Sequence, residues 1–305
     1  MKEKKLIIML STYNGEKYID QQISSIFNQN INMDITLFVR DDGSTDNTKK
    51  LIDAWGDRLN ISWCKTTGNL GPGKSFWELL KQAPKSDYYA FADQDDFWYQ
   101  DKLSRALSFF EDNSTPQLYF SNSRLVDENL SPLGDTTYDN PDAIKLTIRS
   151  QLITGTCQGC TMVFNSQLRD KLIKMSTEHM IMHDLSVIVY SIVYGKIYYD
   201  NLPSLDYRQH ESNVESPVNK GVRSIFKQTY KRWIKNRGEI SLHAKEIISN
   251  CKNDLSPEDY LFCNCLCNYK RKLKSKIYLL KHIDGISYSK LAERSFKIRL
   301  IFNLI

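Results

Sequence analysis

Asp93, Asp95 and Asp96 place three carboxylates within four positions, directly after the apolar run Tyr88-Tyr89-Ala90-Phe91-Ala92. Such a run reads as a buried strand, so the chain turns at Asp93 with its acids gathered at a strand end. Carboxylates held this close repel one another unless a cation or strong donors sit among them. Side chains splayed from an extended end can surround one hard ion, each giving oxygen to Mg²⁺ or Mn²⁺. A solvated acidic turn is the plainer alternative for the run taken alone. A second acidic turn, Arg40-Asp41-Asp42-Gly43-Ser44-Thr45-Asp46, follows the apolar run Ile35 to Val39 in the same way. Two strands that both end in carboxylates point to one cleft at the carboxyl edge of a sheet, where open α/β folds bind ligands.

The surrounding pattern supports such a sheet. Leu6 to Leu10 suits a buried parallel strand, and Ser11-Thr12-Tyr13-Asn14-Gly15 turns the chain into a helix with Ile19, Ile23, Ile26 and Phe27 on one face. Ser44 or Thr45 is placed to cap a second helix, through Leu51, Ile52 and Trp55. Ile61 to Cys64 reads as a third strand, Gly71-Pro72-Gly73 opens a third helix, and Tyr88 to Ala92 is the fourth strand. This alternation calls for an α/β fold with right-handed crossovers and a mainly parallel central sheet flanked by helices. Further on, helices are expected over 101–113, 166–175 and 185–194, strands over 118–120 and 196–199, and a loop over the cleft at 129–140.

The chain has 305 residues, 41% hydrophobic and 25% charged, as expected of a soluble globular protein. No apolar run is long enough for a membrane span or a signal-peptide core. Seven cysteines, an odd number, argue against a disulfide framework, and Cys157-Gln158-Gly159-Cys160 reads as buried thiols despite its CxxC spacing. Charge is unevenly spread. Residues 218–305 carry 19 Lys plus Arg against 7 Asp plus Glu, and the remainder 22 against 29. An acidic body with a strongly basic helical tail points to a negatively charged partner surface. In that tail Val222, Ile225, Phe226, Tyr230, Trp233 and Ile234 share a helical face ringed by basic residues. Such a helix can lie on an anionic bilayer, or its apolar stripe can pack on the catalytic body. No nucleic-acid module is recognisable.

Four ordered motifs, Ser11-Thr12-Tyr13-Asn14-Gly15, Asp41-Asp42-Gly43-Ser44-Thr45-Asp46, Asn69-Leu70-Gly71 and Asp93-Gln94-Asp95-Asp96, resemble those of family 2 glycosyltransferases over roughly residues 5 to 215. The forms Arg40-Asp41-Asp42-Gly43-Ser44 and Asp93-Gln94-Asp95-Asp96-Phe97-Trp98 look most like the bacterial rhamnosyltransferase branch of surface polysaccharide synthesis. The resemblance implies a GT-A fold with a nucleotide-sugar-binding half at 1–122 and an acceptor-binding half at 123–217; it leaves unmatched the basic helical C-terminal region, 218–305, which the shift in composition sets apart. Thr12 and Tyr13 would line the base pocket, Asp41 would accept from the pyrimidine N3–H, and Asp42 would hold that loop or reach the ribose. Asp93 and Asp95 match the DxD pair that holds a divalent cation, Mn²⁺ or Mg²⁺, and the donor's ribose or diphosphate. Asp96 would bind the sugar or cap the next helix, and Lys74 would touch phosphate or stand in solvent.

Inverting transfer needs a general base on the acceptor hydroxyl. Asp184 of His183-Asp184 matches the family's acidic helix start, where Glu-Asp is common; this chain has histidine at the first position. Gly159 and Cys160 match the stretch that shapes the sugar and acceptor side. In Tyr207-Arg208-Gln209-His210, His210 would complete the cation's shell and Arg208 would add positive charge. The Gln-x-x-Arg-Trp signature of processive synthases is missing. The expected partners are a nucleotide-sugar donor, with dTDP-L-rhamnose leading over UDP sugars, and a lipid-linked acceptor at the inner face of the cytoplasmic membrane. Self-association stays open, as does a catalytically silent scaffold.

Overall fold

The computed structural model describes residues 4–66, 68–111, 114–138, 144–210 and 233–305. The chain divides into two compact units. The first comprises Met1–Pro141, Cys157–Lys174 and Met182–His210, the second Asp142–Thr156, Met175–Ile181 and Glu211–Ile305. The expected division between halves at 122/123 falls within one strand, β6 (Gln117–Val126). The expected boundary at 217/218 lies outside the described residues, as do Val222, Ile225, Phe226 and Tyr230 of the expected tail helix.

In the first unit, β1 (Lys5–Thr12), β2 (Asp34–Asp41), β3 (Asn60–Trp63) and β4 (Tyr88–Ala92) coincide with the four apolar runs. They alternate with α1 (Ile19–Phe27), α2 (Thr48–Asp53) and α3 (Pro72–Gln82). β1 pairs in parallel with both β2 and β4, and β2 with β3. β8 (Val163–Asn165) enters antiparallel between β4 and β6. β9 (Lys196–Arg208) then runs parallel to β6, while β5 (Phe97–Trp98) and β7 (Pro132–Thr136) pair antiparallel with β9 and β6. The strand order is 3-2-1-4-8-6-9-5, with β7 beside β6. Six of the nine strands share one direction, so the sheet is mainly parallel and becomes mixed past β4. Ile19, Ile23 and Ile26 of α1 join Leu6, Ile8, Leu10 and Val39 in the core beneath it.

Several boundaries differ from the sequence reading, each for a local reason. β6 continues past Phe120 because its polar residues are buried and paired: Ser121 Oγ lies 2.6 Å from Ser204 Oγ, and Ser123 Oγ donates to Gln158 Oε1 at 2.7 Å. β7 forms within the expected 129–140 loop along the β6 edge. α2 starts at Thr48, not at Ser44 or Thr45, because the Asp46 carboxylate accepts from the Thr48 N–H at 3.0 Å. Ser44 instead accepts from the Asn14 N–H, and the Thr45 N–H donates to Asn14 Oδ1. Three more helices complete the unit: α4 (Lys102–Ser108), α6 (Ser166–Leu172) and α7 (His183–Tyr194).

The second unit holds α5 (Ile148–Thr154), α8 (Glu239–Cys251), α9 (Pro257–Asn268), α10 (Leu273–Lys281) and α11 (Lys290–Ile301). Its core includes Ile247, Phe262, Leu266, Leu279, Phe296 and Leu300. Buried Glu246 accepts from the Ser176 hydroxyl and the His179 N–H, both at 3.1 Å, and so fixes the 175–181 segment. All seven cysteines are free thiols. Among the described residues no helix is long and apolar enough to cross a membrane.

Candidate active site

Because β1 lies between β2 and β4, the turns after all three strands share one edge of the sheet. Gln94 ties two of these turns together. Its Oε1 accepts from the Thr12 hydroxyl at 2.8 Å and the Tyr13 N–H at 2.9 Å, and its Nε2 donates to the Tyr13 carbonyl at 3.1 Å. Gly15 leaves room for it, since a Cβ there would lie 2.3 Å from Gln94 Oε1. Thr12 is therefore buried beneath the edge, while Tyr13 is half exposed on it.

The first acidic turn separates into two roles. Asp42 is buried; it accepts from the Leu70 and Gly71 N–H groups, each at 2.8 Å, and pairs with buried Arg40. Arg40 also donates to Ser75 Oγ at 2.9 Å and the Gly68 carbonyl at 2.7 Å. Asp42 thus holds the loop and does not reach out for a ribose. Asp41 is less enclosed, and its carboxylate accepts from the N–H and hydroxyl of Ser44. Lys74 stands exposed in the first turn of α3.

The second acidic turn gathers most of the remaining candidates. Asp95 Oδ2 lies 2.9 Å from His210 Nε2. Asp93, Asp96 and Cys160 bring donor atoms within 4.8 Å of one another. Burial, then the charges of Asp95 and Asp184, push the Asp93 carboxyl up to about 7. Asp184, in the first turn of α7, is therefore close enough to act on Asp93 electrostatically. Burial, then Asp93 and Asp95, push Asp96 well above the carboxylate range. Burial, then Asp96 and Asp93, push the Cys160 thiol far up as well. A protonated thiol does not bind Mg²⁺ or Mn²⁺, which prefer oxygen and tolerate imidazole. The carboxylates of Asp93 and Asp95 and the His210 imidazole are ligand types that such an ion takes, though only Asp95 and His210 are in direct contact, and a cation would relieve the repulsion that helps to raise Asp93.

Three residues expected on the sugar side belong beneath it. Asp96 is wholly buried; the Cys160 thiol and the Arg208 N–H approach it, yet neither oxygen makes a well-aligned hydrogen bond. It does not cap a helix either, since β5 follows it. Cys160 is buried in the 3₁₀ turn Gly159–Thr161. Gly159 is clearance: a Cβ would lie 2.4 Å from His183 Nε2. The His183 ring stacks on Phe76 at 4.2 Å and meets the edge of Phe91 at 4.9 Å. Burial drives its pKa down to about 3, so His183 is a neutral wedge that seats the start of α7. Arg208 is also buried, donating to the Asp95 carbonyl at 2.7 Å, Gln21 Oε1 at 2.8 Å and the Glu128 carbonyl. It fixes the acidic turn from behind.

Sequence reasoning missed Lys102 and Tyr207. Lys102 opens α4 and looks like a surface lysine, yet it is fully buried, donating to the Cys160 carbonyl at 2.9 Å and Ser204 Oγ at 3.3 Å. Its Nζ sits 4.6 Å from the Trp98 ring centroid, and burial lowers its pKa to about 8. The missed signal was charge balance, because three clustered acids need a cation and Lys102 is the next basic residue after them. Tyr207 is part-buried in the strand facing Cys160 and Asp96, and burial raises its phenol.

A mainly parallel sheet with two carboxylate turns on one edge and an acid-opened helix near them is the frame of a GT-A glycosyltransferase. Residues 7–171 match the model of Glycosyl transferase family 2, and the chain belongs to that family. It is 29% identical over 299 residues to the dTDP-rhamnosyl transferase RfbG of Shigella flexneri, covering 89% of this chain and 97% of that one. It is 31% identical over 116 residues to the poly(ribitol-phosphate) beta-N-acetylglucosaminyltransferase TarS of Staphylococcus aureus, covering 37% of this chain and 20% of TarS. The solved S. aureus TarS 1-349 in complex with UDP-GlcNAc shares the fold at TM-score 0.61 and 20% identity, over 97% of this chain and 89% of that one. So does the Pyrobaculum calidifontis mannosyltransferase PcManGT in complex with GDP-Man and Mn²⁺, at TM-score 0.54 and 14% identity, over 100% of this chain and 86% of that one.

Two outcomes follow from the electrostatics. Lys102→Met keeps the side chain's bulk and removes its charge, so it is expected to lower stability by about 2–4 kcal/mol. Asp96→Asn in the same chain should recover part of that loss; urea unfolding of the single and double variants checks it, and strictly additive losses would refute the coupling. A divalent cation at Asp93 would compete with a proton there. With its carboxyl at about 7, Mn²⁺ affinity should climb about tenfold per pH unit from pH 5 to 7 and level off above. Calorimetric titration at several pH values reads this, and a flat profile would contradict it.

Proposed function

We propose that this glycosyltransferase is inverting and divalent-cation-dependent, moving a sugar from a nucleotide sugar to a hydroxyl of a growing, lipid-linked surface polysaccharide. L-rhamnose from dTDP-L-rhamnose is the leading donor, supported by the similarity to RfbG over nearly the whole of both chains. The setting we infer is the inner face of the cytoplasmic membrane. The observation that carries the reading is the Asp95–His210 pair in the acidic turn after β4, with Asp184 in the first turn of α7.

The chemistry assigns each group a task. Asp184 takes the proton of the acceptor hydroxyl as that oxygen attacks the anomeric carbon. The anomeric bond to the diphosphate breaks on the opposite face, which inverts the centre and places negative charge on the leaving oxygen. A Mn²⁺ or Mg²⁺ ion held by Asp93, Asp95 and His210 would neutralise that charge. Tyr13 and Asp41 stand on the edge where the base would lie, with Thr12, Gln94 and Asp42 holding their loops.

A thermal-shift panel of dTDP-rhamnose, UDP-glucose, UDP-galactose and UDP-N-acetylglucosamine, each with Mn²⁺, tests the donor. Selective stabilisation by dTDP-rhamnose is expected, and selective stabilisation by a UDP sugar would replace it. Asp95→Ala should abolish the Mn²⁺-dependent shift with little change in the protein's own melting temperature. Asp184→Asn should cut turnover roughly 10²–10⁴-fold while leaving donor binding nearly unchanged. Equal losses of binding and turnover would move Asp184 to the donor site.

A further inference from the structure

We propose that α10 and α11 of the second unit form a docking surface for an anionic lipid bilayer. The proposal deepens the reading of a membrane-borne acceptor and rests on it. Between Lys270 and Ile305, ten Lys or Arg side chains stand against two acids, Asp284 and Glu293. Glu293 is buried, accepting from the Ser287 N–H, and Asp284 is paired with Lys297 at 2.6 Å. Arg271, Lys272, Lys274, Lys281, Lys290 and Arg294 are all exposed.

The same two helices leave large apolar side chains in water. Leu273 is 71% exposed, Leu291 77% and Phe302 66%, joined by Ile277, Ile298 and Ile301. Their spacing is ordered. Leu273 and Ile277 lie one turn apart on α10, and Leu291, Arg294, Ile298 and Ile301 follow one stripe of α11. The core is served by other positions of α11, Glu293, Phe296 and Leu300, so the exposed stripe is a second apolar face. Lys276 of α10 donates to the Ile301 carbonyl at 2.9 Å and to Asn303 Oδ1 at 3.2 Å, tying the end of α11 to α10. The 273–277 stretch of α10 thus lies beside the end of α11 that carries Ile301 and Phe302.

That mixture selects its occupant. Apolar side chains interleaved with unpaired cations suit a headgroup layer, where the chains insert shallowly and the cations meet lipid phosphates. A second copy docking through the same face would set like charges against one another. With no helix among the described residues long and apolar enough to cross, contact through this face would be peripheral.

The test is sedimentation of the full chain with vesicles of equal parts phosphatidylglycerol and phosphatidylcholine, against phosphatidylcholine alone. Binding is expected for the anionic vesicles and should weaken with salt. Lys274→Ala/Lys281→Ala/Arg294→Ala should reduce the partition coefficient about 100-fold, at about fivefold per charge. Leu273→Ser/Leu291→Ser/Phe302→Ser should reduce it at least about tenfold, whereas Lys65→Ala/Lys85→Ala on the first unit should not. These side chains are exposed, so melting temperatures should stay within a few degrees of the parent. Equal sedimentation with both vesicle types overturns the proposal, as do undiminished binding by either triple variant or a loss of self-association in its place. Nucleoside diphosphate release with a water-soluble acceptor separates the two readings. Transfer without vesicle binding removes the docking surface alone, and vesicle binding without transfer removes the enzymatic reading alone.

Discussion

Negative charge crowded at the end of β4 is the constraint that organises the first unit. Asp93, Asp95, Asp96 and Asp184 lie close enough for one carboxylate to raise another. Left to themselves such groups would splay the turn apart or take up protons. The pairing of β5 with β9 sets Phe97 opposite Asp206 and Trp98 opposite Leu205, and so carries Arg208 and His210 up to the acidic run. Arg208 grips the Asp95 backbone while His210 meets its carboxylate. From the other side Lys102 holds the Cys160 carbonyl. Arg208 and His210 thus come from the end of β9, in the mixed half of the sheet, and Lys102 from α4.

One residue type does several jobs because enclosure differs from place to place. Asp42 has two backbone N–H groups and an arginine, which commits it to loop geometry. Asp41 next to it is held by the N–H and hydroxyl of Ser44 and stays nearer the surface. Asp96 is sealed and raised, while Asp95 stays partly exposed beside His210. The two turns look alike as strings of letters. Which carboxylate can meet a ligand is decided by the neighbours that fold against it.

The parallel half of the fold was legible in the sequence because its strands are unbroken apolar runs, and β4 matches its run residue for residue. The mixed half was not. Ser121, Asn122 and Ser123 interrupt the pattern of β6, and only pairing partners distant in sequence, such as Ser204 and Gln158, make them a strand interior. The same distance hid the roles of Gly159 and His183, since the glycine matters only through a ring 24 positions on. Asp93, Asp95 and His210 stood out in the sequence because the residues that can ligate an ion are few; the fold pairs Asp95 with His210 and groups Asp93 with Asp96 and Cys160. Lys102 was legible only through charge balance with the acids before it, because its own flanking letters are those of a solvated lysine.

The shifts in this cluster all run toward loss of charge: Asp93 and Asp96 are raised, Lys102 and His183 are lowered. Burial is the leading cause in each, so the site is short of solvation rather than of one particular sign. Lys102 alone therefore cannot balance the acids, since the enclosure that brings it close also weakens its own charge. A mobile divalent cation differs from a fixed lysine in carrying two charges and keeping part of its hydration. On the proposed function it would also arrive against a diphosphate, whose negative charge compensates it in turn. Under that reading the fixed groups would hold the turn in shape between turnovers, and the negative charge they leave unbalanced would favour a cation and a nucleotide sugar together over either alone.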